Sequence, residues 1–273
     1  TDRNRDLREV VRRNLSSLIF FKKTIDNHIK ITILLIMAKL LNNGNSKTSK
    51  GEKLGYITYG LHLAPAKLSG FNVCSSASKG CASACLNTAG RGQFDMVQKS
   101  RIAKTQKFFA DKEAFVWQLA KEIGNAIKLS AKKDMIPCFR LNLTSDLPWE
   151  SIKVKSHEKK LSLMEMFPDV QFYDYTKHFN RMEKYVRGEM PKNYHLTYSR
   201  SECNQKLVEI IAELGGNIAT VFRNELPKTW LGKEVINGDE TDLRFLDGEN
   251  KIVGLIEKGL AKKDETGFVL ECS

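Results

Sequence analysis

From residue 55 onward the apolar positions switch between two periods, and the switches cut the chain into short units. Residues 55–63 alternate as a strand. Over 95–133, Met96, Val97, Ile102, Phe108, Phe109, Phe115, Val116, Leu119, Ile123 and Ile127 recur at helical spacing, and Asp111 followed by Glu113 marks a second start, so two consecutive helices are predicted. Further strands are predicted over 135–143, 170–175, 195–199 and 218–222, and helices over 161–167, 179–187 and 205–214, the last ended by Gly215-Gly216. Segments 243–247 and 251–256 read as a small hairpin turning at Gly248-Glu249-Asn250. Strand–helix units in this order predict an α/β fold with a parallel sheet. Within the strands, Arg140 and Asn142 alternate with Phe139, Leu141 and Leu143, and Tyr173 and Tyr175 with Phe172 and Asp174. One sheet face is thus expected to be polar. A partial (β/α) barrel with a wet or ligand-filled interior explains this better than the alternative, a flat doubly wound sheet.

The first 36 residues differ from the rest. A charged opening (Arg3, Arg5, Arg8, Arg12, Arg13) leads to an apolar run over 31–36, flanked by Lys30 and Lys39. That run falls short of the roughly 20 residues a membrane helix needs, and no small-residue cleavage site follows it. The expectation is a non-native upstream extension or disordered leader over 1–36, with Met37 as the start. A flexible polar segment over 37–54 and one α/β domain over 55–273 would follow. Hydrophobic content of 41% and charged content of 28% fit a soluble globular protein. The net charge of +12 favours anionic partners, whether nucleic acid or a small nucleotide-like molecule, over a membrane.

Chemistry concentrates at Cys74, Cys81 and Cys85, spaced C-x6-C-x3-C among small residues. Six cysteines in 273 residues are too few for a disulfide scaffold, so a reducing, cytoplasmic setting is expected. Three readings stand. The thiolates hold an iron–sulfur cluster with one iron open, or zinc with His62 or Cys138 completing the site, or they carry no metal. Cys138 is expected in the core, and Cys203 and Cys272 are uninformative. In parallel α/β folds the site lies at the carboxyl ends of the strands. Those ends deliver Ser145 and Asp146, Lys177, Ser199 and Arg200, then Arg223 and Asn224. Asp146, Lys177 and Arg200 are the candidate catalytic groups; Arg140, Asn142, Ser145 and Ser199 are the candidate cofactor-binding ones. The basic run Lys99, Arg101, Lys104 and Lys107, with Arg91 before it, reads as the solvated side of a helix before it reads as a phosphate face. Asp239, Glu240, Asp242 and Asp247 around Arg244 read as an Asp–Arg network closing a turn rather than a cation site.

Several blocks resemble the phage gene product 88 domain family: residues 63–74, Gly80-Cys81, Cys85-Leu86, Gly90-Arg91-Gly92, Arg140-Leu141-Asn142, Ser145-Asp146, Trp149-Glu150, 173–177 and 238–247. The resemblance covers about 54–270. It implies a virus or prophage source, and so the host cytoplasm, but no particular activity. The position of the three cysteines after a first strand also resembles radical S-adenosylmethionine enzymes, which are partial barrels holding a 4Fe–4S cluster. Here the spacing departs from the C-x3-C-x2-C of that superfamily, and Ser145-Asp146 stands where a glycine-rich motif would. Together these imply a phage iron–sulfur protein, with S-adenosylmethionine and an anionic substrate at the barrel rim. The alternative is a non-enzymatic accessory protein with a zinc-stabilised loop and a basic nucleic-acid-binding face.

Overall fold

The computed structural model describes residues 39–43, 48–88, 90–156 and 158–272. The described residues belong almost wholly to the unit Leu40–Ser273; the expectations for 1–36 lie outside the described residues. The second unit is built on a sheet. Its strands are β1 (Leu41–Asn42), β2 (Tyr56–Leu61), β3 (Ile136–Arg140), β6 (Gln171–Thr176), β7 (Tyr194–Ser199), β8 (Ile218–Phe222), β9 (Thr229–Trp230), β10 (Lys233–Asn237), β11 (Ile252–Ile256) and β12 (Val269–Leu270). A separate hairpin pairs β4 (Val154–Ser156) with β5 (Lys159–Leu161). The main order is β1-β2-β3-β6-β7-β8-β11-β10-β9, with β12 beside β8. Every pairing from β2 to β10 is parallel. The sequential parallel strands of a partial barrel are therefore present; ring closure is not among the pairings of the described residues.

The helices are α1 (Ala66–Ser69), α2 (Lys79–Ser83), α3 (Asp95–Ala110), α4 (Lys112–Ala131), α5 (Leu163–Met166), α6 (Phe179–Val186) and α7 (Gln205–Glu213). Asp111 both ends α3 and caps α4, its carboxylate accepting from Ala114 N at 2.9 Å. Phe115, Val116, Leu119 and Ile123 of α4 are buried in the main core. In the same core, parallel register aligns Tyr59, Phe139 and Phe172 as a row of rings with centroids 5.6 and 5.5 Å apart. Each such buried side chain contributes about 1.5–3 kcal/mol, so this layer fixes the order of the first strands. Leu40 and Leu41 also enter this core, and β1 pairs with β2, so the segment expected to be polar and flexible begins with buried leucines.

The opposite face carries Thr58, Cys138 and Tyr173, and is polar as expected, but it is filled. β10 and β11 are parallel neighbours, so the chain between them must return to the other end of the sheet. It does so across this face. Leu243 packs with Cys138 and Tyr173, and Phe245 lies edge-on to Tyr56 and Tyr173. The predicted C-terminal hairpin is thus corrected. Residues Arg244–Leu246 form a 3-10 turn, and Ile252–Ile256 is a parallel strand between β8 and β10. The turn at 248–250 does occur, with Gly248 at φ 74° and Asn250 at φ 60°, but it joins the crossover to β11. Among the described residues, no helix is long and apolar enough to cross a membrane.

Candidate functional site at the carboxyl edge of the sheet

The cysteine loop leaves β2 and lies across the ends of the next three strands. Thr144 Oγ1 donates to Leu63 O at 2.7 Å, and Asp146 N donates to Val73 O at 2.8 Å, which stitches the loop to the end of β3. His178, just after β6, engages Ser75 Oγ through Nε2 and Ser76 Oγ through Nδ1, both at 3.0 Å. Glu202, just after β7, accepts from Gly80 N and Ser78 Oγ, both at 2.7 Å. Ser78 Oγ in turn accepts from Cys81 N at 3.1 Å, so the first amides of α2 have acceptors. A Cβ on Gly80 would stand 2.3 Å from Thr266 Oγ1 and 2.7 Å from Phe268 Cβ. Only glycine lets α2 approach that closely.

All three cysteines of the loop are free and half-buried. Burial pushes the Cys74 thiol up to about 12, with Asp146, Cys85 and Cys81 adding to the rise and Lys177 opposing it. Burial also raises Cys85, against the pull of the Asn87 N–H, Arg101 and Lys177. Cys81 thus bears on both Cys74 and Cys85, and Cys85 on Cys74. Among the described residues, no three His, Cys, Asp or Glu side chains form a group able to hold one metal ion. The two zinc completions are placed apart from the loop's sulfurs in different ways. His62 meets Asn42 Oδ1 at 3.2 Å, and burial, then Arg101, Lys104 and Arg140, push it down to about 3. Cys138 lies buried beneath Leu243, 3.2 Å from Thr58 Oγ1.

Of the residues expected at the site, Asp146, Lys177 and Ser199 come together beside the thiols. Lys177 N donates to Asp146 Oδ2 at 2.8 Å, and Lys177 Nζ donates to Ser199 Oγ at 2.8 Å. Asp146 is also held by Arg181 Nη1 at 2.7 Å, while Arg181 clasps Glu150 with two bonds of 2.8 Å. Arg200 ties down the approach to the last strand, donating to the Gly267 and Phe268 carbonyls beside Gly80 of the loop. Asn142 and Ser145 knot the turn after β3: Asn142 Oδ1 accepts from Ser145 Oγ, Leu147 N and Trp149 Nε1. Arg140 lies on the filled face, in an ion pair with Asp242 at 2.8 Å and 4.5 Å above the Tyr175 ring. The acidic cluster behaves as a network: Arg244 stands 3.2 Å from Asp247, and Asp239 meets Lys258 at 2.5 Å.

The basic helix face is corrected. Arg101 and Lys104 are buried; Lys99 stays exposed. The inward stripe of α3 is Arg101, Lys104, Thr105 and Phe108. Sequence reasoning also missed Glu202, His178 and Arg181. None of these three belongs to a local motif, whereas the Thr105–Phe108 positions of the α3 stripe were there to be read. Of two surface concavities, of about 490 and 530 Å³, one is lined by Trp117, Lys121 and Leu161 and the other, beside the Arg181–Asp146 pair, by Glu150, Arg181 and Lys184; neither is lined by a loop cysteine.

The fold and edge define a parallel α/β protein with a thiol-bearing loop strapped over its strand ends. Residues 39–272 match the family model described as gene product 88, and the chain belongs to that family. No curated protein and no solved structure matches the chain. The comparisons lend no support to the positional likeness to radical S-adenosylmethionine enzymes.

Proposed function

We propose that this chain is an iron–sulfur protein whose Cys74, Cys81 and Cys85 hold a 4Fe–4S cluster at the carboxyl edge of the sheet. One observation carries the reading: three free, half-buried thiols on one loop, with Asp146 and Lys177 beside Cys74. A single ion draws its thiolates to about 2.3 Å from one point. A cluster is held through separate irons, so its thiolates stand further apart. Such a cluster, when bound, supplies electron transfer and an open iron for a ligand.

The chain's own groups have definite tasks in this reading. Glu202 and His178 fix the loop. Lys177 brings positive charge to thiolates that burial disfavours. Asp146 holds the Lys177 backbone, and Ser199 directs its ammonium group. Because the thiols must lose protons to bind iron, loading releases protons and weakens in acid. The seat beside them would take a small anionic molecule, and S-adenosylmethionine belongs among the ligands to test. The nucleic-acid reading loses part of its face, since Arg101 and Lys104 are turned inward.

The test is iron and sulfide analysis with a visible spectrum on protein purified without oxygen, beside Cys81→Ala. About four irons and four sulfides per chain, with absorbance near 400 nm lost in the variant, is the expected result. A folded protein without iron after reconstitution refutes the proposal. One zinc in its place turns attention to the accessory-protein reading.

A further inference from the structure

Helix α3 buries a guanidinium, that of Arg101, with which no carboxylate pairs among the described residues. Arg101 is 8% exposed. Both of its hydrogen bonds leave from Nη1, to the Asn87 carbonyl and to Asn87 Oδ1 at 2.9 Å. Its Nε is buried with no hydrogen-bond partner. Burial works against its charge, and Cys85 is the ionisable group that acts to hold it. The same strand end gathers more positive charge, for Arg101, Lys104 and Arg140 all act on His62. Of these, Arg140 is matched by Asp242 and Lys104 donates to Leu40 O.

A buried, uncompensated charge is costly enough that folds rarely keep one without a use. The geometry indicates what use. With Nη1 committed to Asn87, the guanidinium keeps its Nε–Nη2 edge, the fork that receives two oxygens of a carboxylate or phosphoryl group. The loop fixes which edge is kept. A Cβ on Gly92 would stand 2.4 Å from the Asn87 carbonyl oxygen and 3.0 Å from Arg101 Nη1. Glycine there lets the backbone close against the Nη1 side.

We propose that Arg101 receives the oxyanion, carboxylate or phosphoryl, of a small molecule seated against the cysteine loop beside Cys85. The inference rests on the proposed function for the seat at the rim and does not depend on the cluster. Arg200, the arginine that the sequence offers for this task, is committed to the Gly267 and Phe268 carbonyls.

The experiment is thermal unfolding of the full chain, metal-free and after iron–sulfide reconstitution, with inorganic phosphate or acetate replacing chloride at fixed ionic strength. The melting temperature should rise with anion concentration in both forms, because a ligand of the folded state stabilises it. Arg101→Gln should abolish the rise, and Lys99→Gln, on the exposed side of the same helix, should leave it intact. Arg101→Lys, which keeps the charge without the fork, should need roughly tenfold more anion for the same shift. Should Arg101→Gln fail to fold, the Lys variant decides, and wild-type behaviour in it overturns the proposal. So does an equal loss in Lys99→Gln, or no rise with either anion. A response to phosphate alone assigns a phosphoryl group, and to acetate alone a carboxylate. A rise that persists in Cys81→Ala supports the site even where iron analysis has refuted the cluster.

Discussion

The Arg140–Asp242 pair decides whether the inner face of the sheet is a ligand chamber or a packed layer. Its side chains are 11% and 1% exposed. Arg140 Nη1 reaches both carboxylate oxygens, at 3.0 and 2.8 Å, and Tyr173 donates to the same carboxylate at 3.3 Å. Burial works against the Arg140 charge, and Asp242 with Tyr175, Tyr173 and Asp174 together more than offset it. Asp242→Asn removes the counter-charge and leaves the guanidinium in place, a change that costs about 3–5 kcal/mol when a buried pair loses one partner. At roughly 2–4 °C per kcal/mol for a domain of this size, the melting temperature should fall by about 6–20 °C. Urea unfolding supplies the free energy, read from the midpoint at unchanged slope. The double variant Arg140→Met, Asp242→Leu should recover most of the loss, since apolar replacement of a buried pair is often neutral. A loss under about 0.5 kcal/mol in Asp242→Asn, or strictly additive losses in the double variant, would refute the packed-layer account and return Arg140 to the list of ligand-binding groups.

Two further outcomes follow from the geometry. Glu202→Ala leaves the Gly80 amide and the Ser78 hydroxyl without their acceptor; losing about 1.4 kcal/mol of loop anchoring should speed native-state alkylation of Cys81 about tenfold with the fold retained, and an unchanged rate would show that Glu202 does not hold the loop. Burial pushes the Asp174 carboxyl up to about 7 from 3.8, against the pull of Arg140, the Asn142 N–H and the Tyr194 hydroxyl. The folded state therefore binds this proton more tightly than the unfolded chain. Its contribution to stability is fully present below about pH 4 and is lost as pH rises through about 7. Asp174→Asn should flatten the fall in urea midpoint between pH 4 and 7, and an unaltered slope would count against the assignment.

Local pattern found elements wherever burial was expressed locally. Ile218–Phe222, apolar on both faces as central parallel strands are, was read to its ends. The two-helix reading of 95–133 rested on Asp111, whose side chain does cap the second helix. Ser162 and Glu165 form a capping box at the start of the short helix predicted over 161–167. β10 was missed because Lys233, Glu234 and Asn237 interrupt its apolar residues near the sheet's end. β11 was misassigned for a different reason. Gly248 and Asn250 do form a turn, but turn chemistry says nothing about which strands it joins. The partners of β11 are β8 and β10, and Lys233–Asn237 lies on the far side of a crossover that no periodicity announces.

The site was legible as a loop and not as an arrangement. The cysteines announced themselves by spacing, whereas Glu202 and His178 meet the loop, at Gly80 and Ser75, across more than 100 residues of chain. Helix α3 shows the deeper reason. Its inward positions, Arg101, Lys104, Thr105 and Phe108, follow the i, i+3, i+4, i+7 rule that normally selects hydrophobic residues, while Met96 at its start is 82% exposed. A reading by hydrophobicity orients such a helix backwards, because it ranks side chains by what burial alone would favour. Thr105 Oγ1 accepts from Ala64 N at 2.8 Å and donates to Arg101 O at 2.9 Å, which locks the helix in the orientation that hydrophobicity opposes. The charges of Arg101 and Lys104 are thus held inward by neighbours on the strand end and the loop. Arg101 stands near enough to Cys85 to oppose the rise of its thiol, so the point where the hydrophobic pattern fails is also the point where function is sought.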